Sequence, residues 1–151
     1  MQNIINDLSI SKLDCFKSDK GTVMHAIKKN SNGFAGFGEA YFSTVNFNNI
    51  KGWKKHKQMI MNLVVPVGSV RFYIHDERNK NSEQSIKRTS ILLGANQYLR
   101  LTIPNGVWFA FQGVGKDVNL VLNISNIIHD PNECKTLPID HEKFKGIDFI
   151  T

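Results

Sequence analysis

The chain has 151 residues, of which 41% are hydrophobic and 21% charged, the size and composition of one globular domain. These values exclude a disordered tail, a collagen-like repeat and a disulfide-rich miniprotein. Nineteen Lys and Arg against 13 Asp and Glu give a net charge of +6, which suits anionic partners such as nucleic acid or phosphorylated metabolites, and equally a lysine-rich solvated surface.

The opening stretch MQNIINDLSISKLD has no basic patch followed by an apolar run, so it does not read as a signal peptide. A cytoplasmic location is therefore expected, with Cys15 and Cys134 as free thiols. The longest apolar run, Met59 to Val67, is interrupted by Asn62 and Pro66 and falls well short of the ~20 residues that cross a bilayer. Residues 1–151 read as a single domain, with 1–20 and 132–151 as terminal extensions.

Taken in order, Ile4–Leu13 suits a short helix or an edge strand. Strands are then predicted at Thr22–Lys28, Gly38–Val45, Met59–Val65, Ser69–His75, Arg88–Leu93, Tyr98–Ile103, Val107–Gln112 and Val118–Ile124. Turn chemistry separates them: Ser31-Asn32-Gly33, Asn48-Asn49, Pro66-Val67-Gly68, Pro104-Asn105-Gly106 and Gly113-Val114-Gly115. The polar run Asp76–Ser85 reads as an exposed loop. After Asp130-Pro131 the pattern is irregular, with one short helix near Asn132–Thr136. Helical periodicity is weak throughout, and the spacing of about 8–12 residues is that of a sandwich or barrel. The expected class is all-β.

One segment carries the chemistry. Gly52 to Gly68 reads GWKKHKQMIMNLVVPVG. It resembles the first motif of metal-binding cupins, His-x-His followed at fixed spacing by Glu and then Gly. On that frame Gly68 takes the glycine, Met61 the glutamate position, and Lys54 and His56 the histidine positions. The second cupin motif, Pro-x-Gly-x-x-His, falls on Pro104, Gly106 and Phe109. Three of four ligand positions thus hold Lys54, Met61 and Phe109, which cannot complete a transition-metal site around one imidazole. No metal and no cofactor are expected, and acid–base chemistry is. Period-2 alternation sends Lys54 and His56 to one side of a strand, and Phe109 and Phe111 to one side of a later strand.

Over Gly38 to Glu133 the resemblance sharpens. Lys51-Gly52-Trp53-Lys54-Lys55-His56-Lys57 and Ile103-Pro104-Asn105-Gly106-Val107-Trp108 resemble the nucleotide-sugar branch of the cupins, the dTDP-4-dehydrorhamnose 3,5-epimerases and the dTDP-4-keto-6-deoxyhexose 3,4-ketoisomerases. The resemblance implies a small cupin-type, jelly-roll β-barrel that pairs as a homodimer. It implies a metal-independent epimerase or ketoisomerase of a nucleotide-activated 4-keto sugar, working in surface polysaccharide or glycan biosynthesis. Such an enzyme removes the proton beside the C4 ketone, stabilises the enolate and returns a proton.

Residue by residue, the family's diphosphate-binding arginine matches Lys51. Its catalytic histidine matches Lys54, and the ketoisomerases' second histidine matches His56. The epimerases' acid, a tyrosine, has no counterpart in Asn126-Ile127-Ile128-His129-Asp130-Pro131. His129 stands there instead, and Tyr41 is the tyrosine on a strand that lines the family's cavity. The expected catalytic set is His56, Lys54, Tyr41 and His129. Expected on the substrate are Lys51, Arg71 and Arg100 at phosphate, Trp53 stacking on a ring, Phe109 on the cavity wall and Asn123 at a sugar hydroxyl. The alternative is a cupin that binds a sugar nucleotide without turning it over. Nucleic-acid binding is suggested by the charge and by KGWKKHK alone, with no motif behind it, and is not expected; nor is a membrane partner.

Overall fold

The computed structural model describes residues 5–79 and 85–149. Alternating and β-branched runs form twelve strands: β1 (Ser9–Lys12), β2 (Cys15–Ser18), β3 (Gly21–Met24), β4 (Glu39–Thr44), β5 (Ile50–His56), β6 (Met61–Val67), β7 (Ser69–Asp76), β8 (Lys87–Gly94), β9 (Leu99–Ile103), β10 (Trp108–Gly113), β11 (Leu120–Ser125) and β12 (Cys134–Thr136). They pair into two five-stranded sheets, ordered β1-β9-β6-β11-β4 and β12-β5-β10-β7-β8, with β2-β3 as a separate hairpin. The pairings are antiparallel. This is the small cupin-type jelly roll that the sequence led us to expect. No helix among the described residues is long and apolar enough to cross a membrane.

The core lies between the two sheets. It takes alternate residues from each strand: Met61, Leu63 and Val65 of β6, Val70, Phe72 and Ile74 of β7, Leu101 and Ile103 of β9, Phe109 of β10 and Val121 of β11. Period 2 produces that selection, because every second side chain of a strand shares a face. A second cluster forms on the outer face of β5, β7 and β10, where Trp53, Tyr73, Trp108 and Ala110 meet Phe144, Ile147 and Phe149 of the C-terminal segment. Removing a side chain such as Phe144 from water stabilises this outer layer by roughly 1.5–3 kcal/mol.

Several elements differ from the sequence reading. The strand expected at Thr22–Lys28 ends at Met24. Of the two readings of Ile4–Leu13 the edge strand holds, over Ser9–Lys12 alone, as β1 paired with β9; Ile4 lies outside the described residues. Residues 80–84 of the expected Asp76–Ser85 loop also lie outside them. Near Asn132–Thr136 a single 3-10 turn, Pro131–Glu133, gives way at once to β12, which adds an edge to β5. The strand β5 was not among the predicted elements, because Lys-Gly-Trp-Lys-Lys-His has neither β-branched residues nor a clean alternation.

Candidate active site

β5 owes its broken alternation to a bulge. In its pairing with β10, Phe109 faces Lys54 and Ala110 faces Gly52, so Trp53 is the extra residue. A bulge resets which side chains point inward. Trp53 turns to the outer layer, while Lys51, Lys54 and His56 all reach the space between the sheets. Gly52 makes this possible: its φ is +129°, and a Cβ there would sit 2.7 Å from the Ala110 Cα. The Pro104-Asn105-Gly106 turn fixes the end of the strand, with Gly106 N–H donating to the His56 carbonyl at 2.7 Å and the Asn105 amide to that of Lys57 at 2.8 Å. The two sequence motifs thus brace each other.

The side chains converge on a cavity of about 180 Å³. Lys51, Lys54 and His56 of β5, with Phe109 and Phe111 of β10 and Cys134 of β12, form one wall. Tyr41 and Ser43 of β4, Asn123 and Val121 of β11 and Met61 and Leu63 of β6 form the wall opposite. One wall is cationic and the other is neutral and hydrogen-bonding. His129 stands exposed at the mouth.

His56 is the best-supported group. Its Nδ1 lies 2.6 Å from Glu133 Oε2, and both side chains are buried. Glu133 Oε1 accepts the backbone N–H groups of Gln58 and Met59 at 2.7 and 2.8 Å. Burial alone would raise the Glu133 carboxyl, but those two N–H donors and His56 outweigh it and hold it below the usual range. An ionised carboxylate only accepts, so His56 Nδ1 carries the hydrogen, and the lone pair of the unprotonated ring is then on Nε2. Phe109 stacks on the imidazole, its ring centroid 6.0 Å away and 17° from parallel. The site therefore holds an oriented base.

Across from it, the Asn123 amide donates to the Tyr41 hydroxyl oxygen at 2.8 Å. That occupies an acceptor site on the phenol and leaves its own hydrogen free to be given elsewhere. Lys51 Nζ donates to the Thr44 carbonyl at 2.5 Å at the cavity's edge. The Lys54 ammonium has no hydrogen-bond or ion-pair partner among the described residues, so it is available to a developing negative charge.

Three comparisons bear on this arrangement. No protein-family model matches the chain, and a search of curated proteins finds no match. Among solved structures, the dTDP sugar isomerase of Desulfovibrio desulfuricans G20 is 32% identical, superposes with a TM-score of 0.88, and is matched over 96% of this chain and 92% of that one. The chain belongs to the dTDP-sugar isomerase family. Two more distant structures share the fold. The dTDP-4-dehydrorhamnose 3,5-epimerase of Bacillus anthracis str. Ames, with TDP and pyrophosphate bound, is 16% identical, with a TM-score of 0.80 over 96% of this chain and 86% of that one. The sugar 3,4-ketoisomerase of Thermoanaerobacterium thermosaccharolyticum, in complex with TDP, is 17% identical, with a TM-score of 0.71 over 87% and 88%.

Within this isomerase, seven of the ten expected site residues line one cavity: Tyr41, Lys51, Lys54, His56, Phe109, Asn123 and His129. The other three lie elsewhere. Trp53 is fully buried in the outer layer, stacked on Phe144 at 4.1 Å, because alternation sends it to the face opposite Lys54 and His56. Arg71 sits on the outer face of β7 with Tyr73, its guanidinium on the Ser90 hydroxyl at 3.2 Å. Arg100 is buried on the far side of the other sheet, donating to the Ala26 and Asn32 carbonyls and to Ser11. It pins the 26–32 segment to β9 and cannot reach a phosphate at the cavity.

Glu133, Ser43 and Cys134 were missed. Glu133 had one available signal, a carboxylate just after an Asp-Pro turn inside the stretch that resembles the family. A larger open groove of about 840 Å³ lies on the outer face beside His75 and Arg88. There Lys143 pairs with Glu77 and the Arg88 guanidinium donates to the His75 ring.

Proposed function

We propose that this isomerase acts on a dTDP-linked 4-keto-6-deoxy sugar, without a metal, as an epimerase or 3,4-ketoisomerase in surface polysaccharide or glycan biosynthesis. The observation that carries the reading is the His56–Glu133 pair opening on a cavity whose opposite wall presents the Tyr41 hydroxyl. His56 Nε2 takes the proton from the carbon beside the C4 ketone. The bonding pair moves into the carbonyl, and the enolate oxygen that forms is stabilised by the Lys54 ammonium. Tyr41 or the protonated His56 returns a proton to carbon. The cavity is smaller than the roughly 300–1,000 Å³ that drug-sized ligands fill. It suits a sugar ring, leaving the diphosphate and nucleoside at the mouth near Lys51 and His129.

The test is solvent deuterium incorporation into dTDP-4-keto-6-deoxyglucose, followed by proton NMR, for the wild type, Lys54→Ala and His56→Ala. Exchange at C3 or C5 that vanishes in His56→Ala is the expected result; deuterium returned to the same carbon marks an epimerase, and deuterium at C4 of a 3-keto product marks a ketoisomerase. A wild type that gains thermal stability from the nucleotide sugar but exchanges no proton overturns the catalytic reading in favour of a binding protein.

The assembly we propose is a homodimer acting in the cytoplasm. Its support is the edge strand β4, where Phe42 stands 63% exposed, since open sheet edges need cover. Sedimentation equilibrium tests it.

A further inference from the structure

We infer that Asn123 is a positioning residue that ties the Tyr41 proton donor to a hydroxyl of the substrate's own ring. The inference rests on the isomerase reading above.

Asn123 lies in the middle of β11, opposite Tyr41 on β4 and Leu63 on β6. Its side chain faces the cavity and is 5% exposed. One end of the amide is accounted for, since Nδ2 donates to the Tyr41 hydroxyl oxygen at 2.8 Å. The other end is not. Asn123 Oδ1 is buried and has no hydrogen-bond partner among the described residues. Buried side-chain acceptors are almost always satisfied, and an exception in a binding cavity asks for a ligand or water partner. Beside it in the cavity Leu63 and Val121 have no donor to offer, and the Ser43 hydroxyl, opposite Val121, makes no hydrogen bond to it.

The chemistry of the missing partner follows from the wall. Oδ1 accepts and cannot donate, so its partner is an O–H or N–H. The charged side chains lining the cavity all belong to β5, on the opposite sheet, so the ketone oxygen, which becomes the enolate, faces that way. The ring's hydroxyls then face β4 and β11. A hydroxyl donating to Asn123 Oδ1 polarises the amide and strengthens the Nδ2–H donation to Tyr41 at the other end. Asn123 thereby makes the placing of the Tyr41 proton depend on a correctly hydroxylated ring.

The experiment measures deuterium exchange with saturating dTDP-4-keto-6-deoxyglucose and its 2-deoxy and 3-deoxy analogues. It compares the wild type, Tyr41→Phe, Asn123→Ala and the double variant, with thermal melting as the check on folding. Each single variant should lose about tenfold or more in kcat, and the double variant should be no slower than the slower single. One deoxy analogue should slow the wild type about tenfold or more and leave Asn123→Ala unaffected. Single penalties that multiply in the double variant overturn the inference, as do analogues that slow wild type and Asn123→Ala alike. A wild type with no exchange overturns the isomerase reading itself. If Asn123→Ala does not melt cooperatively, Asn123→Asp replaces it, keeping the acceptor and losing the donor. It should turn over slowly, and removing the hydroxyl should no longer change its kcat, because the N–H that carries the effect to Tyr41 is gone; a kcat that still falls with the deoxy analogue overturns the inference.

Discussion

His56 Nδ1 and Glu133 Oε2 stand 2.6 Å apart across the β5–β12 edge, although 77 positions separate them in the chain. Two backbone N–H groups hold the carboxylate in place, so the imidazole is oriented by main chain as well as side chain. Replacing Glu133 by Gln keeps the volume and an acceptor for those N–H groups, but turns an amide N–H toward Nδ1. The imidazole must then place its hydrogen on Nε2 and lose its basic face. We expect Glu133→Gln to lower kcat by about 10²–10⁴-fold with little change in KM. The double variant with His56→Ala should be hardly worse than His56→Ala alone, because the two act as a unit. Steady-state exchange kinetics on the four proteins check this.

The bulge makes a second prediction. Gly52→Ala places a Cβ 2.7 Å from the Ala110 Cα and 2.9 Å from the Phe109 carbonyl oxygen, at a φ of +129°. Both contacts are backbone, so neither can swing away. The strained conformation alone costs about 1–3 kcal/mol, and the contacts add to it. Urea denaturation should show that loss. Exchange activity should fall further than stability does, because closing the bulge takes Lys51 out of phase with Lys54 and His56.

These two sites show what was legible in the sequence. The sandwich class followed from short alternating runs between Gly, Asn and Pro turns, and Lys54 and His56 shared a face as their spacing required. Lys51 broke the same rule, because one extra residue inverts every side chain before it and single-sequence spacing does not reveal it, whereas Trp53 obeyed it and faces away from Lys54 and His56. Arg71 and Arg100 were misplaced for a related reason. Period 2 states that alternate residues share a face but not which face is inside. Glu133 depended on a pairing between β5 and β12 that local pattern cannot supply.

Acid stability offers a third test, on the outer face. His75 is fully buried; burial chiefly, with Arg88 and Lys143 nearby, lowers its pKa to about 4 against nearby Glu77 and Asp76, which pull the other way. Burial would raise Glu77, but hydrogen bonds from Lys143, Trp108 and Lys55 outweigh it and hold the carboxyl at about 2. For His75 the unfolded chain takes up a proton that the folded chain refuses, so stability is full above pH 6.5 and falls as pH drops toward 4. For Glu77 the folded state keeps its charge longer, so its contribution is full above pH 4.5 and is lost toward pH 2. Each amounts to something on the order of 3 kcal/mol. Urea melts at pH 7, 5 and 3 should show His75→Phe flattening the upper part of this acid limb. Glu77→Gln should be destabilised at pH 7 and approach the wild type near pH 2.

The last prediction uses a thiol as a reporter of the sugar subsite. Cys134 lines the cavity, half-buried, while Cys15 is exposed on the β2–β3 hairpin. Burial raises the Cys134 thiol above its ordinary pKa, and the Lys54 ammonium partly offsets this. The thiolate is the reactive form, so Cys134 should react with Ellman's reagent more slowly than Cys15. In a Cys15→Ser background only Cys134 remains to be followed. Adding Lys54→Ala should slow it further, because the cation that favours the thiolate is gone. A dTDP-linked 4-keto sugar should protect the thiol, since a ring seated between Lys54 and Tyr41 stands between Cys134 and solvent. Protection by the nucleotide sugar but not by dTDP alone would place the ring in the cavity and the nucleotide outside it. A reaction rate indifferent to both ligands would mean that the ring binds elsewhere, and the assignment of Lys54 to the enolate would fall with it.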